Sequence, residues 1–535
     1  MAYYGARTDS IVPGTPPHVP GAIGVPGQIA DFVTAGGTID ASDTVVIWAG
    51  ANNIRECIQS PGVCVGGDTQ SNAVAAASSQ VANATTLVGL GARTLVVPNA
   101  QNLGGTPLFT SAADEAAALA SAKAFNATLF SGLSQLASSA PPGTNVIYAD
   151  LDAVANVIFA NPTAFGLSNL SQPCISGFSP FGPTPPPAAS VCSNPSAFYF
   201  WDLIHPTEAI QALFAQYLGL LLNTAPAILD TAPLGESIQK SSDLVTNAVF
   251  DRMSNWFSGV YMKKNGPYAE LLGQLGRYSS NGERPSFDLD LGGARLGWDQ
   301  QIDSALLGAS VAVLNGWQDS QNLSSDIITV RGDLYGTYVA GLAYANFDLG
   351  FGGFWFDDIS RATGFGPVVA TSDTQGYAAT ASTEAGVAFR VGSLILIPSA
   401  RLSYIHSQLD GYEEQAELLA LNFEDQSSDG LLGRGSLRVV SNQVLSGVPT
   451  AISAEAGYAD YLSFSGDDIT AVLANNTALP TVAFAGDPSG PGFLGKLGLT
   501  SQISAGTYID MSYGISIPDS GGETHTGKLR LKVQM

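Results

Sequence analysis

The chain has 535 residues, enough for more than one domain, and a formal net charge of −24. That acidity argues against nucleic acid as a partner, because a phosphate backbone is repelled. Charged residues make up 12% of the chain, about half of the roughly 25% usual in soluble globular proteins; the absence of a run of 18 apolar residues leaves any membrane crossing to strands.

The N-terminal part alternates two kinds of segment. Thr44 to Ala49 (TVVIWA), Arg93 to Pro98 (RTLVVP) and Asn145 to Ala149 (NVIYA) are short, apolar and β-rich. Between them lie Ala-rich stretches with helical spacing, Asn72 to Gly91 and Ala112 to Ser138. Strands alternating with helices predict a parallel sheet covered on both faces, with an active site beyond the carboxyl ends of the strands. Gly50-Ala51-Asn52-Asn53 follows the first of these strands. An Asn carboxamide there can donate a hydrogen bond to a developing oxyanion. Asp202-Leu203-Ile204-His205-Pro206-Thr207 comes near the end of the same region. An Asp and a His three apart at a helix start can set Nδ1 against a carboxylate, which fixes the tautomer and makes Nε2 the basic nitrogen. Taken singly, Asp-x-x-His is commonly a helix cap and Gly-x-Asn commonly a turn. Their order and their places at strand ends make the pair informative.

Cys57, Cys64, Cys174 and Cys192 all precede Asp202 and form two local pairs along the chain. Two small disulfide loops in an oxidising compartment are expected, although four cysteines allow three connectivities. A metal site is the competing reading, and no His lies near either pair. Pro206 to Leu222 reads as the last helix of the region, with Ile210, Leu213, Phe214, Tyr217 and Leu220 on an apolar face. A second, more polar helical stretch runs from Ala227 to Tyr261. As a solvated interdomain helix it would put Lys240, Asp243, Asp251 and Arg252 in water.

From Phe287 onward the period changes to two. Phe287, Leu289 and Leu291 alternate with Asp288 and Asp290; Leu402 and Tyr404 alternate with Arg401 and Ser403; Ile509, Met511, Tyr513, Ile515 and Ile517 alternate with Asp510, Ser512, Gly514 and Ser516. Lys528 to Met535 ends the chain in the same pattern. Strands of roughly ten residues between Gly/Ser/Asp/Asn turns predict a transmembrane antiparallel barrel, with a soluble β-sandwich as the alternative. Aromatic residues near strand ends (Trp298, Tyr335, Tyr338, Trp355, Tyr404, Tyr458, Tyr461) favour the membrane, since rings settle at the headgroup boundary. His406 and His525 are expected to face lumen or loop, and His18 to lie on the surface of a Pro-rich loop. Gly486-Asp487-Pro488-Ser489-Gly490 reads as a turn, because a phosphate loop needs a Lys and a following helix.

Across essentially its whole length the chain resembles the GDSL, or SGNH, family of esterases and lipases, in its autotransporter branch. Ala2-Tyr3-Tyr4-Gly5-Ala6-Arg7-Thr8-Asp9 resembles the second family block, which implies that Gly5 offers a backbone N–H to the oxyanion. Gly50-Ala51-Asn52-Asn53 resembles the third, which makes Asn52 the side-chain donor. Asn53 stands where the family has Asp, and looser local hydrogen bonding is expected there. Asp202 and His205 match the fifth block, the acid and base of a triad. Val96-Val97-Pro98 through Gly104-Gly105-Thr106-Pro107 is similar to the segment after the family's next strand.

The resemblance implies a multidomain protein: an α/β, flavodoxin-like SGNH hydrolase passenger over residues 1–225, a helix through the barrel pore over 226–264, and a transmembrane antiparallel β-barrel of about 12 strands over 265–535. It implies the outer membrane of a Gram-negative bacterium with the passenger at the cell surface. Ester or lipid substrates, outer-membrane lipids and the barrel assembly machinery are the implied partners, and no metal or organic cofactor is needed. The first block, Gly-Asp-Ser-Leu, which carries the nucleophile, is missing. Thr8-Asp9-Ser10-Ile11 imitates it, but Ser10 follows the glycine it should precede and has no buried strand before it. A gene product truncated before its signal peptide, first strand and nucleophile, with little or no esterase activity, is therefore expected. The alternative is a non-catalytic surface protein whose passenger binds or merely rides on the barrel. Met535 replaces the aromatic residue that usually ends such barrels, which is expected to weaken insertion.

Overall fold

A computed structural model describes residues 5–10, 23–177, 190–254, 265–281, 284–488, 490–504 and 507–533. The expectations for His18, for the linker helix beyond residue 254 and for Met535 lie outside the described residues.

Three short parallel strands, β1 (Thr44–Val46), β2 (Thr94–Pro98) and β3 (Asn145–Ala149), form the passenger sheet in that order. The alternation of side chains divides β2 and β3 between two cores. Leu95, Val97, Val146 and Tyr148 join one cluster, whereas Val96, Ile147 and Ala149 join the other. Helices α1 (Val25–Thr34), α2 (Ala51–Gln59), α3 (Thr69–Gly89) and α4 (Ala112–Ser139) contribute to the first cluster. Its inward positions are largely alanine (Ala73, Ala76, Ala77, Ala84, Ala118), which lets the helices approach closely. Asp68 caps α3 by accepting from Gln70 and Ser71 N–H, and Ser111 caps α4 by accepting from Asp114 N–H. Helices α5 (Leu151–Ala160) and α6 (Glu208–Leu222) build the second cluster. Coverage of the sheet is incomplete at β1, where Val46 and Trp48 are 53% and 52% exposed. Only β2 and β3 have the two covered faces that the alternation predicts. Two disulfides, Cys57–Cys64 and Cys174–Cys192, close short loops in this region.

Twelve antiparallel strands follow, each paired with the next. The ring closes where the last, Gly522–Val533, pairs with the first, Gly266–Tyr278. They run from 11 residues (Thr507–Ile517) to 20 (Ala343–Ala362), longer than the roughly ten needed to cross a bilayer core. The alternation is inverted relative to a soluble protein. Leu296, Trp298, Val311, Val313, Leu349 and Phe351 point out, while Arg295, Asp299, Arg331, Asp348, Arg361 and Arg530 are buried inside. A soluble sandwich buries its apolar face, so this arrangement is that of a membrane barrel.

Two of the seven expected girdle aromatics face inward instead. The Tyr335 hydroxyl meets Asp299 and Tyr268, and the Tyr461 hydroxyl donates to Gln239. The other five, Trp298, Tyr338, Trp355, Tyr404 and Tyr458, are exposed on the outer surface. His406 and His525 also depart from the lumen-or-loop reading. They share the outward parity of Tyr404 and Leu529, beside Asp429 and Glu523 respectively.

After α7 (Ala225–Leu229), helix α8 (Ala232–Ser254) fills the lumen. The barrel's cations reach in to it. Arg331 donates to Ser242 O (2.8 Å), Arg295 to Ala248 O (3.0 Å), and Arg401 and Arg434 both to Asn247 Oδ1 (2.9 Å each). Asp251 pairs with Lys496, Lys528 and Arg438, and Arg252 with Asp299. Asp251 and Arg252 meet protein charges there, not water. Outside the barrel, its connecting segments make a four-stranded sheet from Tyr412–Glu413, Leu421–Phe423, Ile469–Leu473 and Thr481–Ala483. That sheet shares one hydrophobic cluster with α5 and α6.

Candidate active site

The site forms where the chain leaves β1 and where it enters α6. The backbone of Gly50 has φ +127°, and a Cβ there would lie 2.5 Å from the Phe125 ring, so only glycine makes this turn. The turn launches α2 with Asn52 in its first turn. Asn52 Nδ2 donates to Ala6 O at 2.9 Å, which places the Gly5–Ala6 loop against the carboxamide; Gly5 itself has φ +76°. The two residues read as oxyanion donors, 47 positions apart (52 − 5), thus belong to adjoining segments.

That loop is fastened by a polar network that the sequence reading did not anticipate. Glu56, fully buried, accepts from Arg7 Nη1 and from Arg55 Nη2, each at 3.0 Å. Arg7 also grips Asp9 with two bonds of 2.7 and 2.9 Å. Arg55 lies 3.4 Å from Asn52 Oδ1 and donates to Gln59 at 3.0 Å. The one available signal was charge placed next to the glycine blocks of a chain only 12% charged. Asn53 is not a loose point. Its Oδ1 accepts from Thr8 N–H (3.0 Å), its Nδ2 donates to Asp9 (3.1 Å), and its carbonyl accepts from Asn72 (2.9 Å). A carboxylate in its place would face Asp9, so the amide suits these neighbours better than the expected Asp. Asp9 and Ser10 lie in the loop after Gly5, with Ser10 exposed.

Asp202 and His205 sit in a tight loop between the strand Phe198–Phe200 and α6, closed by Trp201 N–H donating to His205 O at 2.8 Å. Asp202 Oδ1 accepts from the backbone N–H groups of Ile204 (2.9 Å) and His205 (2.7 Å), while Oδ2 meets His205 Nδ1 at 2.8 Å. Burial pushes the Asp202 pKa up, but these three bonds outweigh it and leave the carboxyl below its ordinary range. The side chain of Asp202 is 5% exposed and that of His205 45%, so the carboxylate is held inside while the ring reaches solvent. With Nδ1 committed to the carboxylate, Nε2 is the basic nitrogen. Ile204, between the pair, packs on the cluster that contains Ile47 and Ile54, and α6 reaches the segment just after β1 through the Phe214–Trp48 edge contact (6.2 Å). The segment after β2 is held in turn by Asp152, which accepts from Asn102 N–H at 2.7 Å. Among the described residues, no cluster of three His, Cys, Asp or Glu could hold a metal ion.

Residues 268–514 match the autotransporter beta-domain family. An uncharacterized protein from the trpE-trpG intergenic region of Pseudomonas putida is 25% identical over 512 residues, 89% of this chain and 80% of its own length. Esterase EstA of Pseudomonas aeruginosa is 27% identical over 337 residues, 58% of this chain and 49% of that protein. A GDSL esterase/lipase of Arabidopsis thaliana is 36% identical over 80 residues, 14% of this chain and 22% of that protein. The chain thus spans half or less of the two esterases it matches. A closed twelve-strand barrel over the autotransporter β-domain makes the chain an autotransporter, placed in the outer membrane with its passenger at the surface, and GDSL esterases are among the proteins to which it is similar.

Proposed function

We propose that the passenger is a carboxylic ester hydrolase in which Asp202 and His205 are the acid and base and Gly5 and Asn52 hold the oxyanion. The observation that carries this reading is the Asp202 carboxylate, which accepts two backbone N–H groups and Nδ1 of a half-exposed imidazole. A serine hydroxyl adds to the ester carbonyl and gives its proton to His205 Nε2. The carbonyl oxygen takes up the negative charge beside the Gly5 N–H and the second amide hydrogen of Asn52. Collapse expels the alcohol, which receives the proton from His205; water then repeats the cycle on the acyl-enzyme. The serine is the open position, since no Gly-Asp-Ser-Leu run occurs in the sequence. Without that block the oxyanion donors and base give at most a small residual rate. For a barrel of this kind we further propose insertion by the barrel assembly machinery, and the net charge of −24 disfavours nucleic acid.

Hydrolysis of a p-nitrophenyl ester tests the reading. The folded chain and a form carrying a Gly-Asp-Ser-Leu block ahead of Gly5 are compared, each with a His205→Ala control. Turnover that depends on His205 in the extended form alone supports the assignment with an upstream serine. His205-dependent turnover in the chain as given points to Ser10 or another internal serine. No His205-dependent turnover in either form overturns the proposal and leaves the passenger a binding or display module.

A further inference from the structure

The passenger sheet ends at β3, yet the outer edge of β3 is occupied. In a parallel pair alternate residues turn both backbone groups to the same side. Asn145 and Ala149 face the β2 side, where Asn145 N–H donates to Arg93 O (2.7 Å) and Ala149 O accepts from Asn99 N–H (3.0 Å). Val146 and Tyr148 face away, toward the connection between Ile469–Leu473 and Thr481–Ala483 outside the barrel. Thr477 Oγ1 donates to Val146 O (2.6 Å) and accepts from Tyr148 N–H (3.2 Å). Asn476 Nδ2 donates to Tyr148 O (2.8 Å), and Leu479 N–H donates to Asn145 Oδ1 (2.9 Å). Asn476 Oδ1 accepts from the N–H groups of Thr477 (2.8 Å) and Ala478 (3.1 Å), which holds its carboxamide in place.

These are side chains on a turn, so they satisfy the strand edge without continuing the ladder. Such capping is how an open edge is kept from pairing with a foreign strand. The same seam is buttressed by Thr224 bonding Thr481 (2.8 Å), Gln216 donating to Gly364 O (2.9 Å) and the Phe165–Phe365 ring contact (5.6 Å). One hydrophobic cluster runs without a break from Val96 and Ile147 to Phe423, Ile469 and Leu473.

We propose that the barrel connection over residues 474–480 is a docking surface for the passenger: it caps β3 and fixes the passenger on the barrel, so that the stability of the passenger sheet depends on this connection. The inference does not depend on the catalytic assignment, because Thr477 and Asn476 lie on the edge of β3 and not at its carboxyl end.

The test uses the full chain folded in detergent, with Thr477→Val and Thr477→Ser. Threonine and valine are nearly isosteric, so Val removes the hydroxyl and leaves two backbone groups of β3 unmet, whereas Ser keeps it. Protease digestion is followed on the passenger, with heat-modifiable migration reporting the barrel. The expected result is a passenger lifetime shortened by roughly tenfold or more in Thr477→Val, near wild type in Thr477→Ser, with barrel migration unchanged in both. A Val variant as resistant as wild type, or a Ser variant as labile as Val, overturns the hydroxyl cap.

Discussion

Replacing Glu56 with Ala removes the carboxylate at the centre of the Arg7–Glu56–Arg55 cluster. Glu56 is 0% exposed, and the guanidiniums on either side are 7% and 2% exposed, each 3.0 Å from one of its oxygens. Deleting one member of a buried ionic cluster costs about 3–5 kcal/mol, because the two guanidiniums lose the carboxylate they share where water cannot replace it, although Arg7 keeps Asp9. Against a typical domain stability of roughly 5–15 kcal/mol this is a large fraction. At about 2–4 °C per kcal/mol for a domain of this size, the passenger midpoint should fall by about 6–20 °C. Circular dichroism at 222 nm reads chiefly the passenger helices α3 and α4, and barrel migration in detergent gels serves as the internal control. Replacing Glu56 and Arg55 together by Met removes an ion pair and keeps apolar volume, so the double variant should recover much of the loss. A single variant that loses less than about 1 kcal/mol, or a double variant as unstable as the sum of the singles, refutes the view that buried charge balance holds the oxyanion loop.

Asn53→Asp should destabilise the passenger by about 1–3 kcal/mol, because the amide that donates to Asp9 becomes a second carboxylate facing it; a melting curve unchanged from wild type would show that Asp9 is not the deciding neighbour. For Asp202, whose folded pKa is lowered, the stabilising contribution is present above the ordinary Asp range and is lost as pH falls through the folded pKa. Denaturant melts should therefore show a loss of stability from about pH 4 downward, and Asp202→Asn should flatten that slope. An identical acid slope in the variant would place the titration elsewhere. Asp251→Asn takes away the carboxylate shared by Lys496, Lys528 and Arg438 beside a lumen cavity of about 120 Å³. Loosened α8 should raise the frequency of open-channel events in planar bilayers by roughly tenfold or more, and unaltered conductance would mean that the remaining contacts to α8 suffice.

Features governed by near neighbours were legible in the residues. The apolar runs at Thr44, Arg93 and Asn145 with Ala-rich helices between them specify a parallel sheet, because side-chain period and connection length leave little else. The two-residue period beyond Phe287 specifies antiparallel strands in the same way. Asp202 and His205 could be paired from sequence since a three-residue loop alone brings carboxylate and imidazole within 2.8 Å. The inward turn of Tyr335 and Tyr461 was not legible, because proximity to a strand end does not say which side of the wall a ring takes. Parity counted from the inward charges Asp333 and Glu455 could have found it only with the strand register known.

Periodicity and glycine placement, which act over a few residues, were therefore determined by the sequence itself: two kinds of sheet, the Gly50 turn and the local Asp202–His205 pair. The tertiary structure alone decided which distant groups meet. Arg7 finds Glu56 across 49 positions, Thr477 finds Val146 across 331, and Asp251 gathers Lys496 and Lys528 across the lumen. Such contacts depend on where whole elements come to rest, and desolvation makes each buried charge depend on a partner that no local pattern names.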